Sequence, residues 1–251
     1  MVKIIKIRKR TSKITLIVIV IILVVFLGTN LLLPHVKELA FHRLINNQGQ
    51  TIYLLGTLHK THLNFQWYSL KHIQALIKNL NPDLLLVESK PEELARGNWG
   101  DGPTEMPFAS LTAQSLGIEV QGMDWWTKEG NDSEEREEKM AKNILAAVPG
   151  HRVVLILTGW SHVKGFLQYL EKAGYTVTKF PSAEKEKLFD TSNIKFVFPP
   201  GMAYYIQKRI DIDSAALRSE KDKKWASTLE SGIQLRQRLI QIIEQVGEGS
   251  L

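Results

Sequence analysis

The chain has 251 residues, is 44% hydrophobic and carries a formal net charge of +6, which excludes general disorder and suits one large domain or two small ones. Lys3, Lys6, Arg8, Lys9, Arg10 and Lys13 account for the whole excess. The remainder is charge-balanced, which excludes the spread basic face of a nucleic-acid-binding domain. Cysteine is absent, so disulfides, thiolate nucleophiles and cysteine-based zinc sites are excluded too.

In chain order, residues 1–13 form a basic tip, and residues 14–33 run without a charge, rich in Ile, Val and Leu. Twenty such residues in a helix span roughly 30 Å, the thickness of a bilayer's hydrocarbon core. The preceding cations keep the N-terminus cytoplasmic, so a single-pass anchor is predicted with the main domain outside. The rival, a cleaved signal peptide, has a shorter apolar region and a small-residue cleavage site, which Gly28-Thr29-Asn30 before three leucines does not supply.

Residues 39–184 are predicted to form an α/β domain. Leu39–Ile45 and Thr51–Leu55 flank an Asn/Gly-rich turn and read as a β-hairpin. Trp67–Leu80 has the i, i+3, i+4 apolar spacing of a helix packed on a sheet and stops at Asn81-Pro82. Leu84–Val87 is a buried strand ending in Glu88. A Gly-rich loop over 97–103 leads into a helix from Glu105 to Leu116. Ile118–Met123 is a strand ending in Asp124. Asp132-Ser133-Glu134-Glu135 starts a helix that runs to Val148. The strand Val153–Leu157, a helix to Lys172 and a strand around Tyr175–Phe180 complete the alternation. Such alternation predicts right-handed βαβ units and a mainly parallel sheet flanked by helices. Residues 185–251 read as a helical C-terminal extension, amphipathic from about Met202 to Val246, without a chemical motif.

Two Gly-x-x-His tetrads stand at strand ends: Gly56-Thr57-Leu58-His59 and Gly159-Trp160-Ser161-His162. Ligands of α/β sheets bind beyond the carboxyl ends of strands. A glycine where the strand stops is expected to let the backbone turn and aim each histidine into one crevice. Glu88 and Asp124 end two further strands there. Ser161 lacks the Gly-x-Ser-x-Gly frame of a nucleophile elbow, because residue 163 is valine. His35, His42, His72 and His151 read as surface or interface residues, and His62 as a surface or supporting one.

Tyr53–His59 and Gly159–Gly165 resemble the two signatures of the TraB/GumN/Tiki family. Glu88 matches its strand-ending glutamate. Glu135-Arg136-Glu137-Glu138-Lys139-Met140 matches its Glu-Arg-Asn-x-x-Met helix start, except that Glu137 stands where the family has asparagine. The resemblance covers about residues 40–180. It implies an α/β fold with the histidines and acids in one cleft. Within this superfamily Tiki members are divalent-metal-dependent membrane proteases, TraB members act in peptide-pheromone signalling, and ChaN-like members bind haem.

Two imidazoles and a carboxylate suit a divalent Mn, Co, Zn or Fe ion, so His59, His162 and Glu88 are the predicted metal ligands. Glu88 or Asp124 is the predicted proton acceptor, and Arg136 the group that meets developing negative charge or pairs with Glu88. Glu105 reads as a first-turn helix acid. The expected function is a membrane-anchored, extracytoplasmic metal-dependent hydrolase of peptides or small molecules. The alternative is a non-catalytic protein that binds a peptide or haem at the membrane surface.

Overall fold

Strand β1 (Phe41–Ile45) pairs antiparallel with β2 (Thr51–Thr57), as the hairpin pattern predicts. The turn is held by Asn46 Oδ1, which accepts from the backbone N–H groups of Gln48 and Gln50. The computed structural model describes residues 40–127 and 133–249. The basic tip and the anchor predicted over residues 1–33 lie outside the described residues. Among the described residues, no helix is long and apolar enough to cross a membrane.

After β2 come α1 (Leu70–Leu80), β3 (Leu84–Val87), α2 (Pro91–Ala95), α3 (Glu105–Ser115) and β4 (Glu119–Gly122). Then follow α4 (Ser133–Ala147), β5 (Val153–Gly159), α5 (Val163–Lys172), β6 (Thr176–Thr178), α6 (Ser182–Leu188), α7 (Met202–Ser219) and α8 (Lys223–Val246). Local chemistry sets the boundaries. At the start of α1 the Ser69 backbone N–H donates to His72 Nδ1, and the helix stops at Asn81, whose φ of 45° is left-handed, just before Pro82. In α8, Asp222 Oδ1 accepts from the Trp225 N–H as an N-cap. Residues 220–222 therefore split into two helices the region predicted as one helical stretch. The short helices α2 and α6 carry too few apolar positions to show a period.

The strand order is β4-β3-β5-β2-β1-β6. β4, β3, β5 and β2 are parallel, and β1 runs antiparallel to both β2 and β6, so the sheet is mixed, with five of its six strands in one direction and β1 reversed. The reversal comes from the predicted hairpin, whose tight turn obliges β1 to run against β2. Alternate residues of each strand face opposite layers. Leu155 and Leu157 of β5 join Leu85, Val87 and the buried faces of α1, α3, α7 and α8. Val154 and Ile156 join Leu84, Leu86 and the apolar face of α4 and α5, including Met140, Ile144 and Phe166. α3 is buried on nearly every side, from Glu105 to Ala113. An Arg209–Asp213–Arg236 ion-pair chain fastens α7 to α8, and Arg209 also reaches Asp101.

Candidate active site

Four adjacent parallel strands deliver their carboxyl ends side by side: Asp124 after β4, Glu88 after β3, Gly159 and His162 after β5, and His59 after β2. The predicted residues are thereby brought together around Arg136, which rises from α4.

Arg136 is the hub. Its Nη2 donates to Glu88 Oε1 at 2.8 Å, its Nε to Asp124 Oδ1 at 2.9 Å, and its Nη1 to His162 Nε2 at 3.3 Å. Burial opposes its charge, but Asp124 and Glu88 outweigh that and raise its pKa, so the guanidinium stays charged. A guanidinium carries five N–H donors; with these three engaged, each terminal nitrogen keeps one N–H for a ligand. The second oxygen of Glu88 accepts from the Gly159 backbone N–H at 2.6 Å and from Thr158 Oγ1 at 3.1 Å. Glu88 is almost fully buried, and these partners meet the desolvation cost of its carboxylate.

The histidine tautomers follow from their partners. Arg136 can only donate, so His162 Nε2 accepts and its Nδ1–H donates to Glu137 Oε1 at 3.0 Å. Glu137 packs directly over Gly165, a residue with no side chain to obstruct it. Its place in the site was missed in the sequence, where it registered only as a departure from asparagine. His59 Nδ1 donates to Glu105 Oε1 at 2.9 Å, and Thr57 Oγ1 donates to the same oxygen at 2.5 Å. Glu105, by its sequence position a first-turn acid, is fully buried and orients His59. The available signal was Met106-Pro107-Phe108 behind it, an apolar first turn that takes the acid inward.

Burial disfavours the charged His59 ring, yet the Glu105 hydrogen bond and the charges of Glu105 and Glu88 win and raise its pKa. Burial likewise opposes ionisation of Glu105, but His59, His62 and Thr57 hold its pKa below the usual carboxylate value. His59 Nε2 has no hydrogen-bond partner among the described residues, and the side chain is 44% exposed. His62 is buried and fully engaged: Leu58 N–H donates to Nε2 at 2.8 Å, and Nδ1 donates to the Tyr68 carbonyl at 2.8 Å. It shapes the His59 turn and has no lone pair left to bind an ion. His42, His72 and His151 are half-buried on other elements, and His35 lies outside the described residues.

The two glycines act differently from the sequence reading. Both strands continue through them, and neither has a positive φ; the left-handed residue is His59 itself, at φ 50°. That conformation costs a non-glycine residue about 1–2 kcal/mol and recurs at functional sites. The glycines are instead points of close approach. A Cβ on Gly159 would lie 2.8 Å from His59 Nε2 and 3.4 Å from Glu88 Oε2, so ring and carboxylate flank one bare backbone atom. A Cβ on Gly56 would meet Val163 Cγ2 at 2.8 Å.

For His59, His162 and Glu88 to hold a divalent ion they must share an open point. Both Glu88 oxygens and both His162 nitrogens are already bonded, with Arg136 lying between the two side chains. Among the described residues no group of three His, Asp or Glu side chains is placed to hold a metal. The set does not fit a cation while Arg136 occupies that position. No family model, curated protein or solved structure matches the chain.

Proposed function

We propose that the chain is a hydrolase of peptide-like substrates in which the His59–Glu105 pair activates water and Arg136 receives the developing negative charge. The single observation that carries this reading is His59 itself: Nδ1 tied to a buried carboxylate, Nε2 open to solvent, and a strained backbone aiming the ring. In that tautomer Nε2 has a lone pair within reach of a water, and Glu105 stabilises the imidazolium that forms when the proton is taken. The hydroxide adds to the substrate carbonyl, the oxyanion takes the two open N–H groups of Arg136, and His59 returns the proton to the leaving amine. Glu88, Asp124 and His162 hold Arg136. The acids that the sequence marks as bases are thus positioning residues. The likeness to the TraB/GumN/Tiki signatures supports action on peptides, though its metal dependence favours the second reading below, and the apolar segment at 14–33 supports a membrane-anchored, extracytoplasmic setting.

A second reading keeps the divalent ion. In its favour, both histidines have carboxylate partners on Nδ1, the arrangement that metal-ligating histidines have. It requires Arg136 to leave Glu88 and His162.

One experiment decides between them: mass-spectrometric cleavage of a peptide library by wild type, Glu105→Gln and Arg136→Lys, each with and without EDTA and added Mn²⁺ or Zn²⁺. Chelator-insensitive cleavage that falls at least 10²-fold in both variants is the expected result. Loss in EDTA with recovery on adding metal transfers the assignment to the ion. No turnover of any peptide overturns the hydrolase.

A further inference from the structure

Beside the Arg136 centre lies an open cavity of about 520 Å³, within the range of small-molecule sites, bordered by α7, α8 and the loops that follow β3 and β4. Asp124 belongs to both: it lines this cavity, and its Oδ1 holds Arg136. Whatever fills the cavity therefore lies against the residue that fixes the guanidinium.

The walls have a definite chemistry. Trp126 and Trp225 stack with ring centroids 4.7 Å apart at 29°, and Leu229 and Ile212 extend that apolar side. Both indoles are only half-buried. The charges of the floor cancel: Asp101 and Asp213 are matched by Arg209 and Arg236. Glu93 is engaged by Asn98 and Arg96, and Asp124 by Arg136. Arg136 is shared between Asp124 and Glu88, and of the lining cations Lys90 is the one without an ion pair among the described residues. Lys90 Nζ lies 5.5 Å from the Trp126 ring centroid, and no carboxylate pairs with it among the described residues. A pocket with an aromatic wall and one ammonium that no carboxylate holds suits a ligand that carries a ring and an anion close together.

We infer that this cavity is a binding subsite for an aromatic group bearing a nearby carboxylate, as at a peptide that ends in an aromatic residue. The ring packs on the half-buried indole of Trp225, beside Leu229 and Ile212, and the carboxylate pairs with Lys90. The ligand is read from these walls alone. Only the further step rests on the hydrolase reading: the bond offered to His59 is then the one joining that terminal residue to the rest of the peptide.

The test uses 3-phenylpropionate, which has the ring and the carboxylate but no bond to cleave, against 3-phenylpropanol and propionate. Binding to the full chain is followed by tryptophan fluorescence and by ligand-observed NMR. The phenylpropionate is expected to bind saturably and at least tenfold more tightly than either comparator. Lys90→Gln should remove that advantage over the alcohol, a loss of about tenfold. Trp225→Ala should weaken phenylpropionate and phenylpropanol alike, and Trp225→Phe should restore both, with circular dichroism confirming that each variant is folded. Equal binding of the three probes to wild type, or phenylpropionate affinity unchanged in folded Lys90→Gln and Trp225→Ala, overturns the subsite. Because none of these measurements involves turnover, a pocket that binds in a protein that cleaves nothing refutes the hydrolase and leaves the subsite standing.

Discussion

Replacing Gly159 by alanine separates catalysis from folding. The added methyl would stand 2.8 Å from His59 Nε2 and 2.9 Å from Cε1, well inside ordinary contact, while its 3.4 Å approach to Glu88 Oε2 is tolerable. Something must move by roughly 0.5–1 Å, and the half-exposed ring yields more easily than a central strand buried on both faces. Gly159 has φ −56° and ψ 142°, which alanine adopts without strain, so the smaller unfolded-state entropy offsets part of the clash. The net stability change is expected to stay within about 1 kcal/mol, or about 2–4 °C in a thermal melt for a chain of this size. The hydrolytic rate is expected to fall about 10²-fold, the usual consequence of misplacing a reacting group by about 1 Å. Gly56→Ala is the control. Its methyl would meet Val163 Cγ2 at 2.8 Å and the Trp160 backbone at 3.2 Å in a sealed position, so it should cost about 1–3 kcal/mol of stability. Peptide cleavage measured beside melting curves separates the two. Gly159→Ala at wild-type activity, or losing activity only in step with its folded fraction, refutes the role given to His59.

Three further outcomes are expected. His59→Ala leaves the buried Glu105 carboxylate with only Thr57, and should destabilise by about 1–3 kcal/mol; adding Glu105→Gln should recover most of that without recovering activity, as chemical denaturation will read. Glu137→Ala should free His162 Nδ1 and lower activity about tenfold, whereas Glu137→Gln, which keeps an acceptor, should stay near wild type in initial-rate assays. Asp83 accepts from the backbone N–H groups of Val153 and Arg152, which lowers its pKa; its contribution is therefore present above the unfolded-state value and disappears as pH falls through the depressed one. Denaturant melts of wild type and Asp83→Asn should differ by roughly 0.5 kcal/mol at pH 7, a figure already reduced for solvent screening, and converge near the acid end.

The elements were legible where side-chain periodicity reports burial directly. Leu84–Val87 and Val153–Leu157 are apolar without a break because both faces of those strands are covered. The convergence of His59, Glu88, Asp124 and His162 was legible as well, since each follows a strand of the parallel centre. Neighbour order was not, because no pattern within β5 says that it lies between β2 and β3. Polar partnership was equally hidden. An acid opening a helix looks the same whether it faces solvent or, like Glu105, turns inward to a histidine 46 positions earlier. The twin glycines misled for a related reason: sequence shows that a side chain is missing, and only three dimensions show whether the backbone turns there or a neighbour fills the space.

The placement of β5 has a consequence for the order in which this protein can come together. β2 and β3 share no edge; each pairs with β5 from opposite sides. Residues 153–159 are thus a keystone, and while they are unseated the imidazole of one flank and the carboxylate of the other have nothing to join them. A nascent chain stopped before that segment could form the hairpin and the helices it already contains and still leave His59 and Glu88 apart, since only this long-range pairing joins the two flanks.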